Sequence, residues 1–238
     1  MKLTPSINKA ATPKDDLTLD GYSLVSPKIK KTILKEQKYE CVYCGYKCHQ
    51  NEVHFLDHNV ANKNRKNIVV VCNLCHISNH LEVLNSNLLG HLGYLDSDVE
   101  YDQSDINNLL RVLWLVIDSD SEHQANASSW LKELRMSTSV VKDALDSGLS
   151  ASNIVQNYIQ FLAELSEDDY AHREKNQHGL FLYYFKENIP NMLEHINRSP
   201  VFKNNAVEHW DSLAESYLGS LGKKNNQQYQ SLIKLLED

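Results

Sequence analysis

At 238 residues, 42% of them hydrophobic, the chain can bury a sizeable core as one large domain or two small ones, and its spread of aliphatics and aromatics excludes wholesale disorder. No apolar run approaches the ~18 residues needed to span a bilayer, and the longest candidate, residues 109–117, is interrupted by Arg111. The net charge of −7 hides an asymmetry: residues 1–80 hold 12 of the 24 Lys/Arg but 7 of the 31 Asp/Glu, a balance of +5 against −12 in the remainder. A basic front and an acidic body fit nucleic acid at one end and a protein partner at the other, or ordinary drift of surface charge.

Residues 1–30 read as a mobile or loosely docked arm, with Pro5, Pro13 and Pro27 and little periodicity. No apolar stretch follows Met1-Lys-Leu-Thr-Pro-Ser, so no secretory leader is expected. A short basic helix is expected with Ser26 as cap and Pro27 at its first position, presenting Ile29, Ile33 and Leu34 to the segment that follows. Val53-His-Phe-Leu and Ile68-Val-Val-Val read as two short strands joined by a polar turn. A helix over 73–85 should follow, with Leu74, Ile77, Leu81 and Leu84 on one stripe. Gly90, Gly93, Asp96, Ser97 and Asp98 mark a loop and a domain boundary.

Beyond that loop the chain reads helical. Ser104-Asp105 caps a helix with Ile106, Leu109, Leu110, Leu113, Trp114 and Ile117 inward. Further helices fit 127–135, 138–146, 152–165, 180–186, 191–197, 206–218 and 228–236. Trp114, Trp130 and Trp210 read as core anchors, and Leu180-Phe-Leu-Tyr-Tyr-Phe as a buried helix or a docking surface. The body carries no Gly-rich phosphate loop, nucleophile elbow or paired-carboxylate motif.

The chemistry concentrates at two cysteine pairs, Cys41-Val-Tyr-Cys44 and Cys72-Asn-Leu-Cys75. Two C-x2-C turns each aim both sulfurs one way, and together they complete a tetrahedral structural zinc site. Five cysteines, four of them so paired, are zinc arithmetic rather than a disulfide ladder, which points to the cytoplasm. Cys48 and His49 overlap the first pair and read as bystanders in the knuckle, with substitution as ligands the alternative. The turn tip Lys63-Asn-Arg-Lys66 is either a phosphate contact or a solvated turn.

Asp57-His58, Asn67 and His76/His80 form a second constellation, and their order resembles the HNH, or ββα-metal, nuclease signature; Asn67-Ile-Val-Val-Val-Cys72-Asn-Leu-Cys75-His76 matches that pattern closely. The resemblance implies Asp57 as ligand to a divalent cation, Mg²⁺ or Mn²⁺, with His76 or His80 as the second ligand. His58 would be the general base and Asn67 the residue that orients it. The expected class is α+β, mostly α-helical: an arm and short basic helix over 1–35, an HNH-like ββα zinc module over 36–95 and a helical domain over 96–238.

A second resemblance spans about residues 39–218. The zinc module, the helix over 106–117 with its Asp118-Ser-Asp-Ser tail, and Ser199-Pro-Val-Phe with His209-Trp-Asp-Ser-Leu-Ala-Glu-Ser-Tyr-Leu218 are similar to the IcmJ (DotN) family of the Dot/Icm, type IVB, secretion and conjugation machinery. That family implies a cytoplasmic adaptor, peripheral at the inner membrane through its complex, which binds the coupling ATPase beside adaptor proteins and helps recruit substrates. In that family the position of His58 need not be histidine. This chain keeps His58, Asn67 and His76, so an HNH endonuclease acting on DNA stands as the alternative.

Overall fold

Two short strands build the first layer. The computed structural model describes residues 1–9, 27–49, 51–59, 61–83, 91–95, 101–118, 122–144, 151–175, 177 and 179–185. In it β1 (Glu52–Phe55) and β2 (Ile68–Val71) pair antiparallel, Glu52 opposite Val71 and Phe55 opposite Ile68. Side chains alternate along a strand, so the hairpin has two apolar faces. Phe55, Ile68 and Val70 meet Ile33 and Leu34 of α1 (Pro27–Glu36) on one face, whereas Ile29 is 54% exposed and stays out of that contact. Val69 and Val71 turn to the other face and into the main core, and His54, opposite Val69, turns with them.

The open edge of β2 is closed by one side chain and the first cysteine turn. Gln37 Nε2 donates to the Ile68 carbonyl (2.9 Å) while its Oε1 accepts from Val70 N–H (2.8 Å). Val42 N–H donates to the Val70 carbonyl (2.8 Å). Covering the strand's polar groups this way removes an edge that would otherwise pair with other chains.

The helix after β2 is shorter than its stripe suggests. α2 runs Asn73–Ser78, and Asn79 ends it: its side-chain Nδ2 donates to the Cys75 carbonyl (2.7 Å) and its N–H returns to His76 O (3.0 Å). A 3-10 turn over Leu81–Val83 follows, and Leu84 lies outside the described residues.

Residues 1–9 are no loose arm. Leu3 and Ile7 are each 1% exposed. Ser6 N–H donates to Ser78 O (2.8 Å), Leu81 N–H to Ser6 O (3.1 Å) and Gln103 N–H to Leu3 O (3.0 Å). Tyr170 Oη donates to the Ile7 carbonyl (2.7 Å). Two buried aliphatics and backbone bonds to both halves of the molecule make this segment a strap, which corrects the mobile-arm expectation for these nine residues; 10–26 lie outside the described part.

Helices and a second two-stranded sheet form the body. α3 (Gln103–Asp118), α4 (Gln124–Ala144) and α5 (Ala151–Glu164) match or merge the expected helices, and a short α6 (Glu167–Ala171), capped by Ser166, is an addition to them. α4 runs through the break expected near residue 137 because Ser137, Thr138 and Ser139 each bond a carbonyl three residues back at 2.7 Å, keeping their hydroxyls inside the helix. Residues 180–186 were expected to be helical, but β4 (Leu180–Tyr183) is a strand, antiparallel to β3 (His91–Tyr94) with His91 opposite Tyr183. Aromatic residues suit a pleated surface, and Phe181 through Tyr184 are buried, so this run is core and not a docking surface. Gly93 is required here: a Cβ would sit 2.4 Å from Phe181 Cζ.

Trp114 is buried in the core as expected, but Trp130 is 38% exposed and anchors nothing central. Trp210 and the helices expected over 191–197, 206–218 and 228–236 lie outside the described residues. One apolar cluster joins Leu3 and Ile7, through Cys72, Leu74 and Ile77, to Leu110, Trp114, Leu162 and Phe181. The ββα unit and the helical body therefore share a core, in an α+β, mostly helical molecule. Among the described residues no helix is long and apolar enough to cross a membrane.

Candidate metal centre

The first cysteine pair lies in a tight turn. Cys41 N–H donates to Tyr46 O and Gly45 N–H to Cys41 O, both at 2.9 Å. Gly45 takes φ +72°, a left-handed conformation that glycine adopts without a Cβ penalty. Asn51 Nδ2 pins the turn by donating to the Tyr39 (2.9 Å) and Tyr46 (2.8 Å) carbonyls. The second pair comes from α2: Cys72 is its N-cap residue and Cys75 sits in its first turn. All four sulfurs are buried and lie within 4.8 Å of one another, with Cys44 Sγ and Cys72 Sγ 3.5 Å apart. Tetrahedral Zn–S bonds of ~2.3 Å place sulfurs about 3.8 Å apart, so the cluster is compatible with a zinc site. Cys48 is buried outside this group, and exposed His49 packs edge-on against Tyr39.

Helix α3 closes the cluster from the body side. Arg111, buried, donates from Nη2 to Cys72 Sγ (2.7 Å) and from Nη1 to Cys44 Sγ (3.4 Å), with its guanidinium 4.5 Å from the Tyr46 ring centre. Asn107 Nδ2 reaches Cys75 Sγ (3.5 Å) and Asn108 Nδ2 donates to the Cys44 carbonyl (3.0 Å). Bonds from neighbouring sulfurs, chiefly Cys41, hold the Cys44 thiol well below its usual range, helped by the Arg111 charge. Burial pushes Cys72 up, but bonds from Cys41 and Cys75 and the same guanidinium bring it below the usual range. Burial pushes Cys41 and Cys75 up. The two sulfurs touching Arg111 are thus the readiest thiolates. Sequence reasoning noticed Arg111 merely as a charge in an apolar run; a lone cation inside a helix's buried face was the available signal.

The second constellation assembles differently from its linear pattern. Asp57 is exposed and its carboxylate is engaged in the turn: it accepts from Asn59 N–H (2.9 Å), Asn62 Nδ2 (2.6 Å) and Asn67 Nδ2 (2.8 Å). Desolvation raises its carboxyl, but these bonds together outweigh it and hold it below the usual carboxylate range. Asn67 also accepts from Asp57 N–H (3.0 Å) and donates to Asn62 O (3.1 Å), so it fixes the loop and Asp57, where the nuclease pattern would have it orient His58. Lys63 lies over the Phe55 ring (5.1 Å) and Arg65 pairs with Glu36, so two of the three basic residues of the tip are engaged within the protein.

The histidines gather instead around His54, which sequence reading passed over as a strand residue. His54, His76 and His80 are buried with ligand atoms within 4.8 Å of one another, and the His58 ring lies 4.9 Å from His80 and 5.3 Å from His54. Strand alternation faces His54 toward α2, which carries His76; His80 follows the helix, where its N–H donates to the Ile77 carbonyl (3.0 Å). Burial lowers His54 and His76 well below the usual imidazole value, and lowers His58 to about 3, leaving all three neutral at physiological pH. His58 carries φ +56°, uncommon for a residue with a Cβ. Compared with known proteins, the chain matches no family model and no curated sequence.

Proposed function

We propose that this chain is a zinc-stabilised, non-catalytic adaptor of a type IVB secretion or conjugation coupling complex. In this reading it is cytoplasmic, peripheral at the inner membrane through its partners, and binds the coupling ATPase beside adaptor proteins. The observation that carries the scaffold half is the closure of the four-cysteine cluster: its sulfurs are buried and covered by Arg111 and Asn107 of α3. Four protein ligands leave no open coordination position, so zinc there ties the first cysteine turn to α2, under the donors of α3, and supplies no reaction. The partner half rests on the resemblance of the cysteine turns and helical body to the IcmJ (DotN) family. The acidic body supports it, because a general nuclease needs a wide basic surface to hold its polyanion.

The HNH endonuclease alternative draws support from His58, whose buried Nδ1 has no hydrogen-bond partner among the described residues and whose backbone is strained. Against it stands Asp57, turned outward and held by three donors. The test pairs two assays: co-purification with the coupling ATPase of the same apparatus, and nicking of supercoiled plasmid in Mg²⁺ or Mn²⁺ by wild type and His58→Ala. Stable ATPase binding without nicking is expected. Nicking abolished by His58→Ala would overturn the adaptor reading.

A further inference from the structure

We infer that His54, His76 and His80 hold a second metal ion, a zinc-class dication, in a buried site separate from the four cysteines. Three features of the group converge on an ion, and none involves the partner-binding reading above.

The first is distance. His80 Nε2 and His54 Nδ1 face each other at 3.3 Å. Two imidazole nitrogens bound to one tetrahedral zinc at ~2.0–2.1 Å lie about 3.3–3.4 Å apart. The second is orientation. His80 Nδ1 meets Glu82 Oε1 at 2.9 Å, so the carboxylate fixes the Nδ1–H tautomer and leaves the Nε2 lone pair facing His54. A carboxylate behind a histidine is the usual outer support of a metal-bound imidazole.

The third is charge and satisfaction. The Glu82 side chain is 2% exposed, and its second oxygen has no hydrogen-bond partner among the described residues. His58 Nδ1 is likewise buried without one. Buried polar atoms almost always find a partner, and a buried carboxylate needs a compensating positive charge. A dication among the histidines supplies that charge, with His58 beside its fourth position. The donors are nitrogens, which suit zinc, nickel or cobalt; magnesium and calcium take oxygen ligands. The site shares His76 and His80 with the cation site implied by the nuclease pattern, but takes His54 where that pattern has Asp57.

The experiment counts metal in the full-length chain after zinc loading and dialysis, using Zn²⁺ alone as the probe. Two zinc ions per chain are expected in wild type. X-ray absorption on the same sample, which needs no variant, should show a shell of sulfur mixed with nitrogen at about 2.0 Å. His54→Ala and His80→Ala should each drop the count from two to one while the sulfur shell remains. Glu82→Gln should weaken the second ion alone, by about 10–100-fold. One zinc per wild-type chain with an all-sulfur shell would overturn the site and leave His80 and Glu82 as an ion pair. So would histidine variants that keep two. Neither result bears on ATPase binding, so this inference and the adaptor reading fail independently.

Discussion

Arg111 is the most informative single residue to change, because it joins the helical body to the sulfur cluster by charge. Arg111→Met keeps the length and apolar stem of the side chain but removes the guanidinium that contacts Cys72 Sγ at 2.7 Å and Cys44 Sγ at 3.4 Å. Hydrogen bonds to charged groups contribute about 1.5–3 kcal/mol each, and breaking a buried ion pair on one side costs about 3–5 kcal/mol. The longer contact is weak, and the variant is relieved of desolvating a guanidinium, so the low end applies, about 3 kcal/mol. That corresponds to roughly a hundredfold loss of zinc affinity. If the same free energy is expressed in folding, the melting temperature falls by about 6–12 °C for a chain of this size. Competition against a chelating indicator measures the affinity, and calorimetry the melt. Arg111→Lys keeps the charge with a single contact, and should lie between the two. Zinc affinity of Arg111→Met within about twofold of wild type would refute the reasoning, since it would mean that four sulfurs here need no neighbouring cation.

Three further outcomes follow from packing and ionisation. Leu3→Ala removes a side chain that is 1% exposed, and should destabilise the protein by about 2–5 kcal/mol in denaturant titration; an unchanged midpoint would mean that the strap adds nothing. Gly93→Ala forces a Cβ to within 2.4 Å of Phe181 Cζ and should cost about 1–3 kcal/mol, recovered in part by the double variant with Phe181→Leu. Burial raises the Tyr158 phenol above its usual value, where it donates to Gln177 Oε1 at 2.8 Å. A raised folded pKa means that its contribution is fully present below the unfolded value of about 10 and is lost as pH rises above it, by up to about 1.4 kcal/mol per pH unit. Denaturant titrations between pH 9 and 11 should show that fall, and Tyr158→Phe should make it shallower; equal slopes would show that this phenol titrates alike in both states.

Much of the site was legible because its signals are local. C-x2-C spacing depends on the geometry of a single turn, so Cys41, Cys44, Cys72 and Cys75 could be grouped before any fold was known, and structure brings their sulfurs within 4.8 Å. Short apolar runs either side of a polar turn located β1 and β2, and period 3.6 located α3, because each is set by a handful of neighbouring residues. What failed was decided by partners distant along the chain. The run 180–186 has helix-compatible residues, but Leu180–Tyr183 became β4 because β3, more than eighty residues earlier, offered its edge and a glycine under Phe181. The first nine residues lack periodicity, yet Ser78, Leu81, Gln103 and Tyr170 hold them down.

The sequence by itself determined the four-sulfur group, the ββα order and a largely helical body, since each follows from the conformational preference of a short stretch. The tertiary structure alone decided which polar groups serve those elements. Arg111 lies 39 residues from Cys72, and His54 lies 26 from His80. Asp57, adjacent to His58 in sequence, is turned outward by its own asparagine turn, while His54 is turned inward by strand alternation. Charge and hydrogen-bond satisfaction are properties of a buried volume, and the residues that share that volume are chosen by packing.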